Sequence, residues 1–274
     1  MKKLGFVGAG KMAQALAGGI VSQNPDVEVV VYDPVEQAIE NFTRRLSPVG
    51  VKPVASNREV FEFSDAVFLA VKPQSFQSAI ESAEIEKALS SRANMPVVVS
   101  VMAGVTIDLI EKQTGVNQIA RVMPNTPCLV GAGAMAVAFS DAVDEASRET
   151  VRQFLQTTGL VKDVSEEKLD AVTGLSGSGP AYVFEFTNAL AAGGVRAGLT
   201  EEMAMELAVQ TVLGAAKLIV ESGEHPLTLK DRVTSPGGTT LEGLKALSEA
   251  GFEAGVIAAV ESATRRSKEL GKTE

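Results

Sequence analysis

Two short clusters of residues in this chain have the composition of binding sites. The first is Gly8-Ala9-Gly10-Lys11-Met12-Ala13, which follows directly on the apolar run Leu4-Gly5-Phe6-Val7. A helical stretch comes next, then a second apolar run over 27–32 that stops at Asp33. A Gly-x-Gly-x-x-Ala turn between strand and helix, with an acid about 20 residues further on, is the arrangement that holds a dinucleotide. Gly8 permits the tight turn, and Gly10 lets a pyrophosphate approach the backbone. Ala13 keeps the helix close to the strand, so that free N–H groups at the helix start face the phosphates. Asp33 is placed to accept hydrogen bonds from the adenosine ribose hydroxyls.

The second cluster lies far along the chain and carries little charge. Thr234-Ser235-Pro236-Gly237-Gly238-Thr239-Thr240 precedes a helical pattern, and Gly174-Leu175-Ser176-Gly177-Ser178-Gly179-Pro180 precedes another. Small residues ahead of a helix leave backbone donors without partners, and such a place receives a carboxylate or phosphate; capping by Ser or Thr is the alternative. Neither cluster contains an acid–base pair, and no metal site is expected. His225, the single histidine, falls in Glu224-His225-Pro226 and reads as a solvated turn residue. Cys128, the single cysteine, excludes an internal disulfide and reads as a small buried hydrophobe.

The elements that must position these clusters follow from hydrophobic patterning. Strands are expected over 4–7, 27–32, 66–71, 97–101, 119–122 and 134–139, with helices such as 11–22 and 75–90 between them. The strands are continuously apolar, as in a parallel sheet covered on both faces. The rhythm implies an α/β, doubly wound sheet over 1–163, with ligands at the carboxyl ends of its strands. Those ends are Ala70-Val71-Lys72-Pro73, Val101-Met102-Ala103 and Met123-Pro124-Asn125. Beyond residue 163 the strand signal disappears, and 164–274 reads as an all-helical domain with helices from 165, 179–197, 200–221, 240–250 and 252–268. The 200–221 helix has only a narrow polar stripe of Glu206, Gln210, Lys217 and Glu221, so a second subunit is expected to cover it.

Composition bounds the partners. The 274 residues suffice for two domains, with 45% hydrophobic and 22% charged residues. A net charge of −9 argues against nucleic acid or an anionic membrane as the main partner. With a strand expected by residue 4, no signal peptide is expected, and no apolar run is expected to span a membrane. The expectation is a cytoplasmic protein.

The segments 7–13, 69–74, 100–106, 121–127, 170–182 and above all 231–240, with Ser-Pro-Gly-Gly-x-Thr before a helix, resemble pyrroline-5-carboxylate reductase from end to end. The resemblance implies an N-terminal Rossmann domain for NADH or NADPH and a C-terminal helical domain that interlocks with a partner subunit, as a dimer or an assembly of dimers. By position it puts the cofactor against Val7, Gly8, Ala9, Gly10, Lys11, Met12 and Asn57. Ala70, Val71, Lys72, Pro73, Val101, Met102 and Ala103 would line the path to the nicotinamide. Substrate would lie against Ser235, Gly237, Gly238, Thr239 and Thr240, with its carboxylate on backbone N–H groups and the Thr240 hydroxyl, the catalytic candidate, facing the ring nitrogen. Glu166 would stand in the substrate neighbourhood.

Asp33 stands where many reductases of the family it resembles have a small hydroxyl residue, and its charge repels the 2′-phosphate of NADPH, so a preference for NADH is expected rather than strict exclusion of NADPH. A β-hydroxyacid dehydrogenase of similar plan would need a lysine early in the helix after its glycine-rich segment; Ala181-Tyr182-Val183-Phe184-Glu185 has none. A dinucleotide-binding redox sensor is the other alternative, though a sensor has no use for a carboxylate cradle.

Overall fold

A computed structural model of the chain describes residues 1–47, 50–90 and 92–271. Residues 48, 49 and 91 of the first expected domain and 272–274 of the second lie outside this description. The chain forms two compact units, Met1–Ser178 with Ser262–Glu274, and Gly179–Glu261.

The first unit holds strands β1 (Lys3–Val7), β2 (Glu28–Tyr32), β3 (Val51–Pro53), β4 (Ala66–Leu69), β5 (Val97–Ser100), β6 (Ile119–Met123), β7 (Gly133–Phe139) and β8 (Gly159–Asp163). Its helices are α1 (Lys11–Gln23), α2 (Glu36–Arg45), α3 (Asn57–Phe63), α4 (Phe76–Ala79), α5 (Ser82–Ser90), α6 (Ile107–Thr114), α7 (Glu145–Gln156) and α8 (Leu169–Val172). The strands make one sheet in the order β3-β2-β1-β4-β5-β6-β7-β8. After β1 the chain winds outward through β2 and β3, then returns to the other side of β1 as β4. That reversal is the switch point at which open sheets of this kind bind ligands.

Both faces of the central strands are dry. Leu4, Phe6, Val29, Val31, Ala66, Phe68, Val97 and Val99 point into one core with α1 and α2. The intervening Val30, Val67, Leu69 and Val98 point into another with α3, α5 and α6. The period-two alternation between two apolar layers is why these strands read as unbroken hydrophobic runs. Phe6 anchors the first layer, stacked on Phe68 at 4.7 Å and tilted against Phe42 at 5.3 Å. Local signals set the helices. Thr106 caps α6 by accepting from the Leu109 N–H, and Gly115, at φ 70°, ends it.

The structure departs from the patterning in four places. The sheet is not wholly parallel, because β7 runs antiparallel to β6. Strands β3 and β8 join its two edges. The 75–90 helix is broken: Ile80 leaves helical dihedrals after α4 and buries its side chain. The Gly174–Gly179 segment is no open loop, since Thr173–Gly177 is wound as a π turn with the Ser178 N–H bonded to the Thr173 carbonyl at 2.8 Å.

The second unit comprises α9 (Gly179–Arg196), α10 (Glu201–Ser222), α11 (Pro226–Arg232), α12 (Thr239–Glu249) and the first half of α13 (Phe252–Leu270). Its buried core is small, with Ala191, Ala204 and Ala208 joining α9 to α10. Along α10 only those two alanines are buried, while Leu207, Leu213 and Leu218 are each more than half exposed. The helix is in fact long and apolar enough to cross a membrane, contrary to the reading of its sequence.

Candidate functional site

The first site residues gather at the carboxyl ends of β1 and β4. Gly8 has φ 97°, and a Cβ there would lie 2.8 Å from the Ala70 carbonyl oxygen, so glycine is required on both counts. Gly10, at the head of α1, faces open space, and no side chain caps the helix. The uncapped donors of α1 beside a glycine with room above it fit a pyrophosphate. Ala13 is fully buried against the core. Two contacts that patterning did not reveal hold the turn in shape. The Gln14 amide inside α1 donates to the Ala9 carbonyl at 2.9 Å, and the Gly8 N–H donates to the Tyr32 carbonyl at 2.8 Å. A lone glutamine on the apolar face of α1 was the available signal for the first.

Asp33 occupies the end of β2, as expected, but its carboxylate is already engaged. One oxygen accepts from the Ala9 N–H and the other from the Val35 N–H, both at 2.9 Å. It therefore braces the glycine-rich turn. Each oxygen retains a second lone pair, so a ribose hydroxyl can still be received.

A cleft of about 400 Å³ opens beside the turn, with Val7, Gly8, Tyr32 and Pro34 on one wall and Val71, Ser75 and Ser78 on another. The start of α3 supplies Ser56, Asn57 and Arg58, and Glu81, Glu84 and Ile85 complete the rim. Asn57 therefore lines this cleft. Its amide nitrogen donates to the Ala79 carbonyl at 2.8 Å, while its Oδ1 is buried without a partner. Arg58 pairs with Glu62 at 2.7 Å and Glu84 at 3.4 Å, and Lys87 also grips Glu84. The Glu62 hydrogen bond and charge hold the Arg58 guanidinium above its usual pKa, while Lys87 first and then Arg58 hold the Glu84 carboxyl below its own.

The segments following β4 and β5 run beside one another, with the Ala70 N–H on the Val7 carbonyl and the Val101 N–H on the Leu69 carbonyl. Met102 differs from expectation in one respect. Its side chain is buried in the apolar core and its N–H donates to the Ser100 hydroxyl, so its side chain lines no path. Lys72 precedes a short turn over Pro73–Ser75.

Glu166 is held within the first unit. Its Oε1 accepts from Arg121 on β6 and from the Ile107 N–H at the head of α6, each at 2.8 Å. Arg121 is only 8% exposed, and this buried strut went unrecognised in the sequence. Asn125 acts similarly at the end of β6, accepting from the Ala134 N–H at 2.9 Å and donating to the Ser176 carbonyl at 3.0 Å.

In the second unit, Ser235–Gly238 is a turn closed by the Gly238 N–H on the Ser235 carbonyl at 3.0 Å, with Gly237 at φ 70° and Pro236 before it. Gly238 heads α12 with no side-chain cap, and Thr239 and Thr240 form its first turn. Ser235, Gly237, Gly238, Thr239 and Thr240 are therefore together, at an 11-residue helix with uncapped donors. His225 is a cap rather than a free turn residue: its Nδ1 accepts from the Leu227 N–H at 3.3 Å at the start of α11. Arg232 closes α11 back on Glu224 through two contacts of 2.6 Å, which fixes the entry to the turn.

The mainly parallel sheet with its glycine-rich turn at the switch point defines a dinucleotide-binding α/β protein joined to a helical unit. Two family models match it: "NADP oxidoreductase coenzyme F420-dependent" over residues 3–104 and "Pyrroline-5-carboxylate reductase dimerisation" over residues 166–270. Pyrroline-5-carboxylate reductase from Synechocystis is 42% identical over 98% of both chains. The solved structure of such a reductase from Coxiella burnetii superposes with a TM-score of 0.89 at 35% identity, covering 99% of both chains. That of the Plasmodium falciparum enzyme, with NADP bound, gives 0.84 at 33% identity over 98% of each. The chain belongs to the pyrroline-5-carboxylate reductase family.

Proposed function

We propose that the chain reduces the C=N bond of L-1-pyrroline-5-carboxylate with hydride from NADH or NADPH, giving L-proline in proline biosynthesis. The carrying observation is full-length relatedness to reductases of that name, with the turn at 8–13 and the turn at 235–240 both intact. The bound nicotinamide would supply the hydride; the protein supplies position. Residues 1–163 are assigned to the cofactor and 164–274 to substrate and dimerisation.

On this reading Val7, Gly8, Ala9, Gly10, Lys11 and Met12 hold the pyrophosphate, Asp33 and Asn57 the adenosine end, and the 70–73 and 101–103 segments the nicotinamide path. Backbone donors of Ser235, Gly237, Gly238 and Thr239 receive the substrate carboxylate. The Thr240 hydroxyl orients the ring nitrogen and relays a proton. The imine can be protonated in water, so no strong acid need be built in, and most of the rate comes from positioning. Glu166 is assigned to bracing, because its carboxylate already serves Arg121 and Ile107. Asp33 keeps a negative charge at the ribose end, which supports NADH over NADPH.

The exposed apolar side chains of α10 are assigned to a second copy of the chain, since α10 lies within the matched dimerisation segment. A cytoplasmic setting belongs to the same proposal. Loss of reduced-cofactor absorbance that depends on pyrroline-5-carboxylate, measured with NADH and NADPH in turn, tests the reaction. No turnover with either overturns it, and so does turnover only with a β-hydroxyacid. A dimer by light scattering at micromolar concentration is expected; an active monomer refutes the assignment of α10.

A further inference from the structure

Among the described residues lining the cleft beside the glycine-rich turn, Arg58 brings the only positive charge. A free guanidinium there would be a good receptor for a 2′-phosphate, which it binds in a bidentate fork. Here the fork is occupied. Its Nε lies 2.7 Å from Glu62 and its Nη1 lies 3.4 Å from Glu84, whose other oxygen is gripped by Lys87. These four side chains carry two charges of each sign and cancel. Glu81, also on the rim, leaves the cleft negative.

We infer that Glu62 and Glu84 are specificity-determining residues: by neutralising Arg58 they withhold a 2′-phosphate receptor and keep the cleft suited to the unphosphorylated ribose. This rests on the dinucleotide-dependent reading given above, and it is separate from Asp33, which is not among the described residues lining the cleft. A 2′-phosphate can reach Nη2 of Arg58 with a single hydrogen bond, but each bidentate edge has one donor taken. To be held in a fork it must displace one of the two carboxylates while standing near Glu81. The pairs are partly exposed, so the penalty is modest and screened by salt.

Calorimetry with 5′-AMP and 2′,5′-ADP, which differ only by the 2′-phosphate, isolates this choice from substrate and nicotinamide. In the unmodified protein 2′,5′-ADP is expected to bind no tighter than 5′-AMP. The Glu62→Gln/Glu84→Gln variant is expected to move the ratio of dissociation constants about two- to fivefold toward 2′,5′-ADP at low salt. Adding Arg58→Gln should remove that gain, which a merely structural role for the carboxylates would not predict. The ratio of kcat/KM for NADPH over NADH should move in parallel. An unchanged ratio in the double variant overturns the inference. So does an unmodified protein that prefers 2′,5′-ADP and loses that preference on Arg58→Gln alone. Nucleotide binding with the expected shift but no pyrroline-5-carboxylate turnover would instead sink the proposed reaction and leave this inference standing.

Discussion

Removing the charge of Glu166 separates a strut from a substrate ligand. Its partner Arg121 has a side chain 10% exposed, against 32% for Glu166, and the contact is 2.8 Å. Breaking a fully buried pair costs about 3–5 kcal/mol because a charge is left unpaired, and a surface pair is worth about 0–1 kcal/mol. This pair falls between, at about 2 kcal/mol. Glu166→Gln retains an amide oxygen for the Ile107 N–H and should lose about 1–2 kcal/mol, whereas Glu166→Ala also orphans that donor and should lose about 2–3 kcal/mol. Urea unfolding at fixed protomer concentration, because subunit association adds to apparent stability, gives these values. Arg121→Met completes a cycle in which the double variant should be less damaged than the single losses add up to. The KM for pyrroline-5-carboxylate should change little when measured well below the unfolding transition. If Glu166→Gln leaves stability within about 0.5 kcal/mol, a routine surface effect, and raises that KM severalfold, the carboxylate serves the substrate and the strut argument fails.

Gly8→Ala forces an L-residue to φ 97° and drives a methyl to 2.8 Å from a backbone oxygen. We expect a loss of about 2–4 kcal/mol and of cofactor binding, and near-normal affinity by fluorescence titration would contradict it. Thr240→Ala should lower kcat/KM for the imine about five- to tenfold, the worth of one hydrogen bond, with little change in cofactor dissociation constant; unchanged kinetics would remove Thr240 from the site. Burial pushes the Asp65 carboxyl up, but the N–H groups of Lys2 and Lys3, at 2.9 and 3.1 Å, outweigh it and hold the carboxyl below its usual value. Its stabilisation is therefore full above the unfolded pKa near ~3.9 and is lost as pH falls through the lower folded value. The stability gap between the parent and Asp65→Asn should shrink below about pH 4, and a gap that stays constant through acid titration would refute the linkage.

What the sequence made legible was whatever local chemistry decides. The glycine-rich turn, Asp33 at the end of β2 and the turn at 235–240 depend on residue types at fixed offsets. The central strands announced themselves because both faces are buried. Edge strands give no such signal: β3 has three residues, and β8 alternates half-exposed and exposed positions. Strand direction is equally hidden, since β7 is as apolar run antiparallel as it would be parallel. The π turn at Thr173–Gly177 escaped because glycine and serine signal a break in local terms, whereas Gly177 here packs under the Met123 side chain, whose Cε lies 2.5 Å from where a Cβ would stand. The Val35–Asp33 contact is a local turn, whereas the Ala9–Asp33 contact and the Arg121–Glu166 strut are tertiary. Their partners lie 24 and 45 residues away, beyond any spacing rule.

The strand order also governs how the chain meets the ribosome. β1, the first element made, lies mid-sheet, and its second neighbour β4 begins at Ala66. At about 5–20 residues per second, several seconds pass between the emergence of Leu4-Gly5-Phe6-Val7 and that of the strand that closes its open edge. During that interval only β2 covers it, and Phe6 lacks the stacked ring of Phe68. The nascent chain is therefore most exposed to wrong pairing before residue 69 appears, so synonymous changes that slow translation between β2 and β4 should reduce soluble yield while leaving the finished protein unchanged.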